Sequence, residues 1–427
     1  MHKRILASMM LLLLFIPLGA ASFTGGIPVR EDLFYSEEEL SKVDFSAPLT
    51  ESEREYYEDT HIYITTAAPS DPVYIFFGHA GIEVDTPDTP PVMFDYGTFR
   101  FDNTFYINFA LGRLYYNVIE SYSFYRYEEF QMDDRTVKRI ELDLTPEEKK
   151  AVIGFLSYNI LPENDTYLYH YYKDNCATRL RDIYNAATGG AFREWCEKQE
   201  TGKGFRAWSL PYMHPSFFFA FILNYLQGPL VDEPVDLYEA CFLPDILLQT
   251  IEEYEGKEAE IIYQTKSRPD TPDHYDLITR SFIAGLAISF LILLTSSKKK
   301  WISRIGDLTS GAVYLFLGVM SLVLLFMMTM TNHDVTYGNT NIIVISPFVL
   351  ALAAMHLASL GKKERRKGLG SLSKILLISV LSLLALKGCL IDILYEDNIA
   401  YFVFIIPLYA AEVLVSRMKA KAVSLYR

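Results

Sequence analysis

The stretch "YHYYKDNCATRLRD", Tyr169–Asp182, sets a thiol, Cys176, where a run of aromatic residues gives way to an amphipathic pattern. Asn175 is a favoured helix N-cap and the pair Gly189-Gly190 suits a left-handed helix end, so the spacing predicts a helix between them. Ala177, Leu180, Ile183, Tyr184 and Ala187 fall on one apolar face of it. Cys176 then occupies the first turn, where unpaired backbone N–H groups and the helix dipole favour an anion. That position lowers a thiol pKa, and the same N–H groups can hold an oxyanion. The residues alone leave two readings open, a nucleophile and a buried structural cysteine.

A thiol nucleophile needs a histidine within reach. Setting aside His2 in the N-terminal apolar segment, His274 in a hinge and His356 near the end of an apolar segment leaves His61, His79, His170, His214 and His333. His79 stands in "DPVYIFFGHAGIEVDTP". Val73–Phe77 reads as an apolar strand, Gly78 as a bulge or close approach, and "HAGIEV" as a second strand. On spacing alone His79 is either a base or a satisfied core residue. His170 lies on the aromatic approach to Cys176, and His214 precedes a proline in a turn. His333 sits in "TNHDVTYGNTN", between two apolar segments.

The other cysteines are Cys196, Cys241 and Cys389. Cys196 and Cys241 could bridge each other in an oxidising compartment, which still leaves a thiol over. No two cysteines show a metal-ligand spacing and no histidine adjoins them, so neither a metal nor another cofactor is expected. The net charge of −14 argues against a nucleic-acid partner, which needs a basic face.

The elements that must position these groups fall into two kinds. Residues 1–22, "MHKRILASMMLLLLFIPLGAAS", have the basic start, apolar run and small-residue end of a secretory signal peptide, with an uncleaved anchor as the alternative. Residues 23–263 are long enough for one exported domain, and 264–276, rich in proline and charge, form a linker. Five apolar segments then span 277–416: Leu277–Thr295, Leu308–Met330, Ile342–Leu360, Ile375–Leu394 and Ala400–Val415. Basic clusters follow the first, third and fifth, at Lys298–Arg304, Lys362–Lys367 and Arg417–Lys421, whereas the other two loops have no Lys or Arg. The positive-inside rule therefore puts the large domain outside the inner membrane and the tail, 417–427, in the cytoplasm. Within the spans, Lys387 reads as an interfacial side chain or a lipid-phosphate contact, and Glu412 as interfacial.

"GHAGI" followed by "NCATRLRD" resembles the circularly permuted papain-like enzymes, in which the histidine strand precedes the cysteine helix; permuted NlpC/P60 proteins and lecithin–retinol acyltransferase relatives share that order. More closely, "FGHAGIEV", "FDYGTFRFDNTFYINFALGRLYY", "YYKDNCATRLRD", "CFLPDILL" and the loop string "NHDVTYGNTNIIVISP" resemble the Bacteroides-type lipoprotein N-acyltransferases (Lnb). The resemblance implies an α+β papain-like domain, then five transmembrane helices. It implies a Cys176–His79 dyad, with Asp95 in "PVMFDYGTF" as the candidate third residue that orients the imidazole. Asn175 and the backbone N–H of Cys176 are then oxyanion candidates, with Asn175 as a plain helix cap the alternative. His170, His333, Asp334 and Lys387 become candidates for substrate contact.

The implied reaction moves an acyl chain from a phospholipid, through a thioester on Cys176, to the α-amine of a diacylated lipoprotein. "FYINFALGRLYYNVIESYSFYRYEEF", Phe105–Phe130, reads chiefly as aromatic strands in a core that could also line a lipid groove. Two other functions remain open: a cysteine hydrolase acting on phospholipid or murein, and a non-catalytic membrane receptor or assembly factor.

Overall fold

The computed structural model describes residues 36–99, 104–360, 368–390 and 394–424. The expected signal peptide, the basic run at 362–367 and the last residues of the tail lie outside them. The chain divides into two compact units, one built from Pro28–Pro215 and Glu233–Asp273, the other holding Ser216–Asp232 and His274–Arg427.

The first unit is α+β. Its strands are β1 (His61–Ala67), β2 (His79–Thr86), β3 (Thr89–Thr98), β4 (Tyr115–Tyr122), β5 (Val137–Glu141), β6 (Thr166–Leu168), β7 (Glu200–Lys203), β8 (Val235–Asp236) and β9 (Glu260–Tyr263). Seven form an antiparallel sheet in the order β6-β4-β3-β2-β1-β5-β9, while β7 pairs with β8 apart. Alternation of side chains divides the sheet's two faces. Ile62, Ile64, Ala80, Ile82, Val84, Phe94 and Tyr96 share a buried cluster with Leu180, Ile183 and Tyr184 of the helix Cys176–Ala187. The opposite face carries His79, Glu83, Met93 and Asp95, and there Met93 packs with Phe130 of the helix Ser123–Met132.

Two strand assignments change. Val73–Ile75 is a single 3-10 turn rather than a strand, and β2 begins only at His79. Pro72 fixes the backbone before the turn, and Ser70 N–H donates to the Ile75 carbonyl at 3.2 Å. Phe105–Phe130 is not a run of strands: β4 is flanked by the helices Phe105–Ala110 and Ser123–Met132, and many of their aromatic side chains are exposed.

The second unit is helical. Five helical stretches are long and apolar enough to cross a membrane: Leu277–Leu294, Lys300–Met330, Asn341–Ser359, Leu369–Cys389 and Ile399–Met418. The third is broken, with helix over Asn341–Val344 and again over Val349–Ser359. Pro347 lies in the break and has no N–H to give, and the Tyr225 hydroxyl takes up the Ile345 carbonyl at 2.9 Å. Tyr225 comes from "FFFAFILNYL", Phe217–Leu226, a helix inside the 23–263 stretch that nonetheless packs its Phe221 and Tyr225 into the core of the helical unit. Glu412, expected at the interface, has its side chain turned into the helical unit. It is buried and accepts from His356 Nε2 at 2.7 Å, with Asp307 3.3 Å from the other ring nitrogen. An isolated carboxylate inside an apolar bundle is costly, and the imidazole offsets that.

Candidate active site

Cys176 is the first residue of its helix, as the capping pattern predicts. The Asn175 side-chain oxygen accepts from the N–H groups of Ala177 and Thr178, both at 2.9 Å. In return the Asn175 N–H donates to Thr178 Oγ1 at 2.7 Å, closing a capping box. Asn175 Nδ2 donates to the carbonyls of Tyr171 and Phe242, at 3.0 and 2.9 Å. Both amide hydrogens are thus engaged, so in this arrangement the side chain acts as a cap and has none to offer an oxyanion. The Cys176 Cβ lies close to Gly97, where an added Cβ would sit 3.6 Å from it. Gly97 has φ +85°, in the region glycine favours, at an irregularity in the β3–β4 pairing.

Burial alone would raise the Cys176 pKa. Its hydrogen bond to His79, the imidazole's charge, and the backbone N–H groups of Ala80 and Ala177 lower it below the ordinary thiol range. Cys196 and Cys241 behave oppositely. They are free thiols, not a bridge, and both are buried. Burial pushes both up, Cys241 to about 12. Of these three thiols, the one at the helix start has its pKa moved in the direction that favours a thiolate.

The sheet register brings the histidine and carboxylate together. Gly81 pairs with Asp95, which leaves Asp95 on the diagonal from His79 on the same face. A Cβ at Gly81 would stand 3.3 Å from Asp95 Oδ1, and its absence keeps that space open. His79 Nε2 lies 2.7 Å from Asp95 Oδ1. With Nε2 so engaged, Nδ1 remains for Cys176. Burial alone would lower the His79 pKa, but the bonds to Asp95 and Cys176 overcome it and raise it to about 9. Asp95 is fully buried, which would raise its own pKa, yet His79 and Arg126 bring it below the usual carboxylate range. Together these shifts favour a thiolate–imidazolium pair.

Arg126 was not among the sequence candidates. Its Nε is 2.8 Å from Asp95 Oδ2, its guanidinium also pairs with Glu129, and it stands 4.8 Å over the Phe130 ring. The signal available was slight: one basic residue in "SYSFYRYEEF", with nothing to say that its helix covers β3.

The remaining candidates are placed as follows. His170 Nδ1 accepts from the N–H groups of Tyr172 and Lys173 at 3.1 and 3.0 Å, bracing the turn before Cys176. His333, Asp334 and Lys387 belong to the helical unit. His333 is buried ahead of a 3-10 turn that begins at Asp334, and Lys387 Nζ donates to the carbonyls of Leu394 and Glu396 at 2.9 and 2.6 Å. A separate cleft of about 950 Å³ lies in the α+β unit over Thr66, Lys138 and Ile261, walled by Trp208, Tyr212 and Asp245; Cys176, His79 and Asp95 do not line it. Among the described residues no cluster of His, Cys, Asp and Glu has the geometry to hold a metal ion.

Two family models match the chain. Residues 51–200 match the Lnb N-terminal periplasmic domain, and residues 279–414 match the Lnb transmembrane domain. Neither a curated protein nor a solved structure matches it.

Proposed function

The chain belongs to the Lnb family, and from that premise we propose that it is a lipoprotein N-acyltransferase with Cys176 as nucleophile and His79 as base and acid. Asp95 orients the imidazole and stabilises its charge, and Arg126 holds Asp95. The observation that carries this reading is the presence of both Lnb domains in one chain, joined to a His79–Asp95 contact of 2.7 Å beside a thiol of lowered pKa.

The Cys176 thiolate attacks an ester carbonyl of a phospholipid. The tetrahedral oxyanion is held by backbone donors at the helix start, the Cys176 N–H foremost, since the Asn175 side chain is spent on capping. As the C–O bond breaks, His79 gives its proton to the departing lysophospholipid oxygen and a thioester is left on Cys176. The neutral α-amine of a diacylated lipoprotein then attacks the thioester. The C–S bond breaks, His79 takes the amine proton, and the thiolate–imidazolium pair is restored. The product is an N-acylated lipoprotein, and no cofactor enters the balance. Both substrates are lipids, which accounts for a catalytic domain that carries five spans. On the charge pattern of the loops, the α+β domain faces the periplasm and the C-terminus lies in the cytoplasm.

The test is intact mass spectrometry of a reporter lipoprotein from cells that lack their own N-acyltransferase. The cells would express either this protein or Cys176→Ala. The expected result is one added acyl chain on the N-terminal fragment with the wild type and none with the variant. An added chain with both would remove Cys176 from the mechanism. Released fatty acid with an unmodified lipoprotein would make the protein a phospholipid hydrolase.

A further inference from the structure

Beside the candidate nucleophile begins an unbroken row of aromatic rings. Gly97 presents one surface to both Cys176 and Tyr169: a Cβ there would meet the Cys176 Cβ at 3.6 Å and Tyr169 Cε2 at 3.7 Å. From Tyr169 the row runs to Tyr116, with centroids 4.5 Å apart and planes stacked. It continues to Phe99 at 5.0 Å, to Phe105 at 5.1 Å and to Phe109 at 5.9 Å. Its far end is the helix Phe105–Ala110, "FYINFA", which has apolar or aromatic residues at every position but one. Tyr106 is 69% exposed, Ile107 63% and Phe109 44%. A short helix with apolar side chains turned to solvent is not built to close a core, and a contiguous exposed apolar patch marks a binding surface.

We infer that the acyl chain of the phospholipid donor, and then of the thioester on Cys176, lies along this row and emerges over Ile107 and Phe109. The inference rests on the acyltransferase reading above and names where that site holds its lipid. A thioester on Cys176 fixes one end of a long hydrocarbon chain beside Tyr169. Every methylene left in water rather than covered forgoes hydrophobic stabilisation, so the chain follows the nearest apolar surface. The row is that surface and is continuous with the thiol. Aromatic faces also suit it chemically, giving large contact area without polar groups to leave unpaired. The 950 Å³ cleft is a poorer path: its walls carry Lys138, Asp245 and Arg268, and Cys176 does not line it.

The experiment uses the full-length protein in nanodiscs and two readouts. In the first, the donor is phosphatidylethanolamine whose fatty chains end in a diazirine; after acylation of Cys176 and irradiation, cross-linked peptides are sequenced. Label on the Phe105–Ala110 segment is expected. Label confined to other segments, including the cleft walls, overturns the path. In the second, the rate of acyl-Cys176 formation is compared between sixteen-carbon and four-carbon donors for wild type, Ile107→Asp, Phe109→Asp and Phe109→Leu. The long-to-short ratio should fall about tenfold or more in the two aspartate variants and stay near wild type in the leucine variant. An unchanged ratio in the aspartate variants overturns the inference. The ratio is read only for variants whose thermal unfolding matches wild type, since misfolding would depress both rates and leave the ratio unmoved. If wild type gains no acyl mass on Cys176 with any donor, the acyltransferase reading itself has failed and the path falls with it. Normal acylation with an indifferent ratio sinks the path alone.

Discussion

At the scale of single residues, the candidate site sets one buried carboxylate, Asp95, between His79 and Arg126. Asp95→Asn removes the charge that holds the His79 proton. His79 then titrates lower, the thiolate loses its counter-ion, and the Cys176 pKa rises. Alkylation of Cys176 by iodoacetamide, followed against pH, should half-saturate at higher pH in the variant and run about tenfold slower at neutrality. The sign for stability follows the same proton. His79 holds it more tightly folded than unfolded, so this contribution is complete below the unfolded value of about 6.5 and fades as pH rises through about 9. Arg126→Gln leaves Asp95 with one cation instead of two. Since Arg126 is 18% exposed and His79 still answers the charge, the expected loss is about 2 kcal/mol, below that for stripping a fully buried pair, with thermal unfolding as the check. The positions of Cys176 and His79, a capped helix start and a strand entry, were legible in short local patterns, but their pairing as a dyad came only from the resemblance. Asp95 was reached only by resemblance. Arg126 was illegible: its bond to Asp95 spans 31 residues and depends on which face of β3 its helix covers.

At the scale of elements, the cysteine helix is set by its cap. Asn175→Ala would strip two helix N–H groups of their acceptor and leave the half-buried Tyr171 and the buried Phe242 carbonyls without their donor. A loss of about 2–4 kcal/mol is expected in chemical denaturation, whereas an oxyanion role would lower kcat and spare stability. The helix ends were readable from Asn175 and the glycine pair, because caps are local chemistry. The false strand at Val73–Phe77 shows the converse. An apolar run carries no record of its own dihedral angles, and Pro72 with the Ser70–Ile75 bond turned it. The broken third span was equally hidden, since hydropathy sums over a proline without noticing it. Tyr225→Phe should expose that break by leaving the Ile345 carbonyl unpaired, at about 1 kcal/mol in unfolding of the detergent-solubilised protein.

At the scale of the whole molecule, the division into an α+β unit and five membrane-length helices was plain in the sequence, because long apolar runs and alternating basic loops are its coarsest features. What was not plain is that the α+β unit is discontinuous. The chain leaves it after Pro215, contributes Phe217–Leu226 to the helical core, returns at Glu233, and departs again after Asp273. A protein engineer who cuts at the proline-rich linker would therefore not obtain a water-soluble enzyme domain. The fragment would still carry "FFFAFILNYL" with its natural partners deleted, and it should sediment with lipid or demand detergent. Replacing 216–232 by a short glycine–serine bridge should release it into buffer, and size-exclusion chromatography would tell the two fragments apart. In this chain, the segment that packs with the apolar helices interrupts the α+β unit rather than following it.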